Sequence, residues 1–350
     1  MKKFLLASVA VIAFSGAAYA GSLNDAYVLQ VGAGNTSTQI QDGSFHDALT
    51  LQAGIHNDAD IKQVGHGADA LAIQVGVGND ANIKQFGAHS DAMAIQVGLH
   101  NDTDIKQMGY DHDAKVFQIG KGNDGDVTQF GAKNDGVVVQ LGKKNSADVI
   151  QAGYKNDALA VQIGRGNETL IGQGGAFEDA ATFQAGYKND AKVFQIGAGN
   201  DAAVLQAGVK NDADVMQIGY KNDAYTVQAG FHNYADQTQL GAGNSARTIQ
   251  LGAGNDAETS QFGYSHEATI IEVGLWNSAE VKQGGAKNDA LVLQAGLGND
   301  AEVKQFGYRN DGIVIQAGVG NHAKQVQVGY RNDAVALQVG FGNSSLQIQK

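Results

Sequence analysis

Apolar and polar residues alternate by twos along this chain. In Asp80-Ala81-Asn82-Ile83-Lys84-Gln85, Ala81, Ile83 and Gln85 fall on one face and Asp80, Asn82 and Lys84 on the other. Val and Ile dominate the middle of such stretches, as pleated strands prefer. A Gly-x-x-Asn-Asp string follows and predicts a turn, because Gly and Asn tolerate positive φ. The pattern predicts a strand of about six residues and a turn of about five, repeated along the chain.

The repetition is strict. From Gln30 to Gln349 every eleventh residue is Gln, except Glu272. Gly stands two residues later throughout, from Gly32 to Gly340. Asn stands five after the Gln in twenty-three of twenty-nine modules, and Ala seven after in twenty-two. A fixed period without insertions signals a repeat architecture. Eleven residues could also wind a right-handed coiled coil. Each Gly would then cost about 1 kcal/mol inside a helix, and the alternation by twos would be unexplained. Strands are the better reading.

A second periodicity lies over the first. On alternate strands the outward positions are apolar, as in Leu71, Ile73 and Val75, or Met93, Ile95 and Val97. Fifteen such strands run from Tyr27-Leu29-Val31 to Val335-Leu337-Val339, and only Lys115, Arg247 and Thr269 interrupt the apolar set. The strands between them carry charge outward, as in Asp60-Ile61-Lys62 and Glu302-Val303-Lys304. The unit is therefore 22 residues (two eleven-residue modules), and the fold class is all-β, a two-sheet β-solenoid. Rungs about 4.8 Å apart would stack fifteen high over roughly 70 Å.

Gln, Ala and the residue two before each Gln would point between the sheets. Stacking sets identical residues above one another, so Gln52, Gln74, Gln96, Gln118, Gln140, Gln162, Gln184 and Gln206 are expected to form an amide ladder. Asn57, Asn79, Asn101 and Asn123, with Gly54, Gly76, Gly98 and Gly120, are expected to be further members of the structural ladder. The outward residues Ile73, Ile95, Val139, Val161, Leu205, Ile249, Leu293 and Ile315 mark an apolar face expected to associate with another copy or an apolar surface.

Composition narrows the chemistry. The chain has 350 residues with 48 Gly, no Cys, no Pro and a formal charge of −12. Absence of Pro fits a backbone whose N–H groups nearly all serve ladders. Without Cys there is no disulfide scaffold, thiolate metal site or cysteine nucleophile. The acidic balance argues against nucleic acid as a partner. Residues 1–20, with Lys2, Lys3, an apolar run and Ala18-Tyr19-Ala20, read as a cleaved secretory signal. Repeat fills residues 21–350, as thirty modules in about fifteen rungs. No capping element precedes or follows it, so open strand edges are expected to pair with the next molecule.

The string Gln74-Val75-Gly76-Val77-Gly78-Asn79-Asp80-Ala81-Asn82-Ile83-Lys84-Gln85 resembles the curlin repeat of bacterial curli fibre subunits, and the resemblance covers residues 21–350. It implies a secreted functional amyloid at the cell surface, built of β-arch rungs, that supports adhesion and biofilm matrix. The partners it implies are further copies of the chain, a nucleator, an outer-membrane secretion pore, and host or abiotic surfaces; it implies no cofactor. A soluble monomeric β-solenoid adhesin or binding surface is the alternative.

Other readings fare worse. Calcium-binding repeats of secreted toxins keep a nonapeptide period with Asp turned inward, whereas parity turns Asp80 outward, so no metal is expected. An ice-binding face would want a Thr array that the apolar face lacks. No nucleophile, base and orienter gather at one place, so no enzyme is expected. His112 and His266 replace the turn Asn and are expected to be solvated. The turn tyrosines Tyr110, Tyr154, Tyr187, Tyr220, Tyr264, Tyr308 and Tyr330 are expected to stack in ladders. The stretch Leu170-Ile171-Gly172-Gln173-Gly174-Gly175, with Glu178 in the Asn place, loses outward side chains and should be the weakest rung. Columns such as Asp58, Asp80, Asp102 and Asp124 should raise one another's pKa values by like charge, and burial should raise that of Glu272.

Overall fold

The computed structural model describes residues 23–350, together with Ala10–Val11, a two-residue bridge antiparallel to Gln30 and Val31. The rest of the segment read as a secretory signal lies outside the described residues. Among the described residues there are strands and no helix. The chain divides into two units, Met1–Gly166 and Asn167–Lys350.

In the first unit two parallel sheets take alternate strands. One runs Asp25–Ala33, Asp47–Ile55, Asp69–Val77 and on to Asp157–Arg165, and the other runs from Thr36–Ser44 to Ser146–Tyr154. Like stacks on like: Asp69 pairs with Asp91, Gln74 with Gln96 and Gly76 with Gly98. The second unit repeats the plan, with Glu168–Ala176 to Ser344–Gln349 in one sheet and Asp179–Tyr187 to Asp333–Phe341 in the other. Each unit is a two-sheet β-solenoid with 22 residues per rung.

Three inward residues per strand make the core. Ala81, Ile83 and Gln85 are buried, as are Ala160 and Gln162. Full burial of a side chain such as Ile83 contributes about 1.5–3 kcal/mol. The first inward position is narrow. A Cβ built on Gly125 would already lie 3.0 Å from both Gln118 Nε2 and Val116 Cγ1, which is why Ala predominates there. Thr103 fits by donating its hydroxyl to Gln118 Oε1 at 3.0 Å.

The strands are longer than the alternation predicts. Nine residues pair in Asp47–Ile55, and only His56 and Asn57 separate it from Asp58–His66. The repeat Gly stays within the strand while bending it: Gly76 has φ +132° and still pairs with Gly98. A Cβ on Gly76 would sit 1.9 Å from the Gly98 carbonyl oxygen, so space as well as dihedral demands Gly. The left-handed residue is the one before Asn, as at His56 (φ 53°), Gly78 (φ 63°) and Lys155 (φ 53°). The Asn itself is not left-handed.

The stretch around Gly172 is covered from its neighbour. A Cβ on Gly172 would lie 2.7 Å from Phe194 Cδ1, and Phe306 covers Gly284 in the same manner. A ring on the adjacent strand restores contacts that a strand Gly gives up.

Candidate functional site

Parity turns each ladder Gln inward, and in-register stacking brings every amide to the next. Gln52 Nε2 donates to Gln74 Oε1 at 2.8 Å, Gln74 to Gln96 at 2.9 Å, and Gln96 to Gln118 at 3.0 Å. Gln118 donates to Gln140 and Gln140 to Gln162, both at 2.9 Å. In the second unit Gln184 donates to Gln206 at 2.8 Å, and Gln206 to Gln228 at 2.9 Å. A further donation crosses between sheets, from Gln74 Nε2 to the Asp58 carbonyl at 2.6 Å and from Gln140 Nε2 to that of Asp124 at 2.6 Å. Each Gln thus fastens its rung both to the next rung and to the facing strand.

The Asn residues assigned to the ladder from sequence form a second ladder of their own. Asn57, Asn79, Asn101 and Asn123 are no more than 1 % exposed. Asn79 Oδ1 accepts the backbone N–H of Asn101 at 3.1 Å, and Asn79 Nδ2 donates to the Gly98 carbonyl at 3.2 Å. Each Asn therefore ties its tight arc to the next one. Its recurrence at one fixed offset from Gly was the available signal.

The histidines that replace Asn imitate it. His112 and His266, expected to be solvated, are 1 % exposed. Their Nδ1 atoms accept the backbone N–H of Asn134 and Asn288 at 3.3 Å each. Nε2–H of His112 donates to the Met108 carbonyl at 3.3 Å, and that of His266 to the Phe262 carbonyl at 3.2 Å. A neutral imidazole offers one acceptor and one donor, as the Asn side chain does here; the tautomer follows from this network. Burial pushes both pKa values down.

Two substitutions separate these roles. Gln140→Ala removes one ladder partner each from Gln118 and Gln162 and is expected to cost about 1–3 kcal/mol. Gly98→Ala is expected to cost more, because its Cβ would lie 1.8 Å from the Gly120 carbonyl oxygen. Guanidinium unfolding midpoints will rank the two variants.

Charge lies outside. Asp58, Asp80, Asp102 and Asp124 are exposed and stacked on successive strands of one sheet. Partial burial raises the pKa of Asp80, and Asp102 and Asp58 add to it. Asp126 is pushed up to about 6, by burial first and then by Asp124, Asp148 and Asp104. Like charge is thus the smaller cause, contrary to the expectation from sequence, because the packed outer face already desolvates these carboxyls. Outward lysines pair with the acid two residues before them, Lys106 with Asp104 in the first unit, and Lys192 with Asp190 at 3.1 Å and Lys304 with Glu302 in the second.

Glu272 is the one acid inside the Gln ladder. Gln250 Nε2 donates to its Oε2 at 2.8 Å. Its Oε1 has no hydrogen-bond partner, and neither has Oε1 of Gln294, the adjacent ladder member. Burial pushes its pKa up to about 9.

On the apolar outer face of the first unit Ile73, Ile95, Val139 and Val161 are half-buried; on that of the second Ile249, Leu293 and Ile315 are half-buried and Leu205 is exposed. Val75, Val97, Ile119 and Ile163, beside the first four, are 37–51 % exposed. The tyrosines do not form one continuous stack. Tyr308 and Tyr330, on neighbouring strands, lie parallel at 5.6 Å. Elsewhere Ala intervenes, as Ala242 does between Tyr220 and Tyr264, and a cation takes the ring face instead. Lys221 lies 5.0 Å from the centre of Tyr220, and Lys155 lies 5.5 Å from that of Tyr154.

The sequence matches the curlin associated repeat over residues 57–87, 100–131, 120–153, 142–175, 186–219, 210–241 and 277–307, together more than half of the chain. No curated protein matches it.

Proposed function

This chain belongs to the curlin associated repeat family, and we propose on that premise that it is a secreted structural subunit of a curli-like amyloid fibre at the cell surface, serving adhesion and biofilm matrix. One observation carries the reading. Within each unit successive rungs offer one another the same backbone groups in the same register and, except at Glu272 and where another residue replaces Asn, the same Gln and Asn amides. Strands of a second copy can continue such a stack with no new chemistry, as in cross-β assemblies. The partners are then further copies, with a nucleator and an outer-membrane pore as the family resemblance implies. The role is structural, and no catalytic step is proposed.

Fibre X-ray diffraction on purified residues 21–350 tests this. Reflections at about 4.7–4.8 Å along the fibre and about 10 Å across it are expected, with thioflavin fluorescence rising as fibres grow. A preparation that stays monomeric at every concentration would point instead to a soluble β-solenoid adhesin.

A further inference from the structure

One arc column breaks the repeat in charge. In the apolar-faced sheet of the first unit, the residue after the repeat Gly is Ala33, Ile55, Val77 and Leu99 on four strands, then Lys121, Lys143 and Arg165 on the next three. No other strand of either sheet carries Lys or Arg at this place. The three stand in register, Lys121 beside Lys143 and Lys143 beside Arg165. Lys144 follows in the arc, its N–H held by the Lys121 carbonyl at 3.0 Å. Lys121, Lys144 and Arg165 are exposed, and Lys143 is half-buried.

Like charges held one rung apart, about 4.8 Å, repel one another. Six of the eight other strand lysines among the described residues meet carboxylates, as Lys115 meets Asp113 and Lys192 meets Asp190, and only Lys62 and Lys84 do not. Among the described residues no carboxylate lies within ion-pair distance of Lys121, Lys143 or Lys144. Ser146 follows Asn145 where most modules place Asp or Glu, so a potential local partner is missing too. Lys121, Lys143 and Lys144 present cations without counter-charge on a chain of net charge −12.

We propose that this row binds an extended acidic polysaccharide whose carboxylate or sulfate groups recur along the chain. The pitch selects the ligand. One cation per rung, about 4.8 Å, is close to the length that one pyranose ring adds to an extended chain, so successive charged sugars keep step with successive rungs. Phosphates on each strand of duplex DNA come about 3.4 Å apart and fall out of step. The acidic remainder of the surface repels a polyanion and confines it to the row. The row lies within one unit and does not depend on fibre formation.

Polygalacturonate is the probe, titrated onto the full chain at low salt, with neutral dextran and duplex DNA as comparison polymers. Polygalacturonate is expected to bind and dextran is not. In Lys121→Gln/Lys143→Gln/Lys144→Gln the affinity should fall at least about tenfold, and the slope of log affinity on log salt should become shallower by about two to three, as fewer counterions are released. Lys121→Arg/Lys143→Arg/Lys144→Arg should bind as the parent does, as should Lys188→Gln/Lys210→Gln in the second unit. Circular dichroism will establish that each variant keeps its β-structure. Equal affinity in the triple Gln variant, or tighter binding of duplex DNA than of polyuronate, overturns the proposal. So does a triple Gln variant that loses only the association of copies with one another.

Discussion

Glu272→Gln raises stability at pH 8 and changes little at pH 4. A protonated carboxyl has one O–H donor and one carbonyl acceptor, so it can serve in an amide ladder where a carboxylate cannot. Gln250 donates to Oε2, and a proton on Oε1 would supply the donor that Oε1 of Gln294 lacks. The folded pKa of about 9 stands far above the unfolded value near 4.3. Between them the unfolded chain releases a proton that the folded chain keeps. Stability is therefore fullest below the unfolded pKa, declines as pH rises, and levels off above the folded pKa. At about 1.4 kcal/mol per pKa unit, the loss by pH 8 is of the order of several kcal/mol. Unfolding midpoints of parent and variant at pH 4, 6 and 8 check this, and parallel curves would sink it. The raised pKa values of Asp80, Asp126 and Asp212 act in the same sense. His112 and His266 act in the opposite sense. Their contribution is present above the unfolded value near 6.5 and is lost as pH falls through the folded value. Assembly should thus quicken from pH 8 towards pH 6, and His112→Asn/His266→Asn should carry that rise further into acid.

Fibres of Ile73→Lys/Ile95→Lys/Val139→Lys/Val161→Lys remain single filaments. These residues lie on the outer face of one sheet, and the ladders behind them point the other way. The fold should therefore survive. With Val75, Val97, Ile119 and Ile163 they form an apolar stripe of the kind that soluble monomers rarely expose. A facing copy or an apolar surface would have to bury four ammonium groups, which is costly without partners. Filament width by electron microscopy and adhesion to apolar beads measure the effect. Bundling and adhesion at the parent level would remove the role assigned to this face.

Counting by twos reads the straight part of each module. It places Ala81, Ile83 and Gln85 inside and Leu71, Ile73 and Val75 outside. It fails at the arc for an arithmetic reason. An odd period must reset the in-out count once per module, and nothing in Gly76-Val77-Gly78-Asn79 marks where. The structure places the reset before Asn79, so Asn joins the inward set of the following strand, and His112 and His266 go with it. Comparison of residues 22 apart recovers more. It aligns Gly172 with Phe194, and it shows Ala242 between Tyr220 and Tyr264. The cross-sheet bond from Gln74 to the Asp58 carbonyl leaves no trace in side-chain identity, because its acceptor is backbone.

The Gln amides also give the molecule a direction. Each hands its hydrogen from one rung to the rung 22 residues further along, and each Asn carbonyl receives one from that same side. A stack of such rungs has a head and a tail. Copies joined head to tail would carry both ladders across the junction. Copies joined head to head would set acceptor against acceptor at the ladder Gln residues of the junction. Growth through these edges is therefore one-way, and the two ends of a fibre present different chemistry to whatever is meant to start it or stop it.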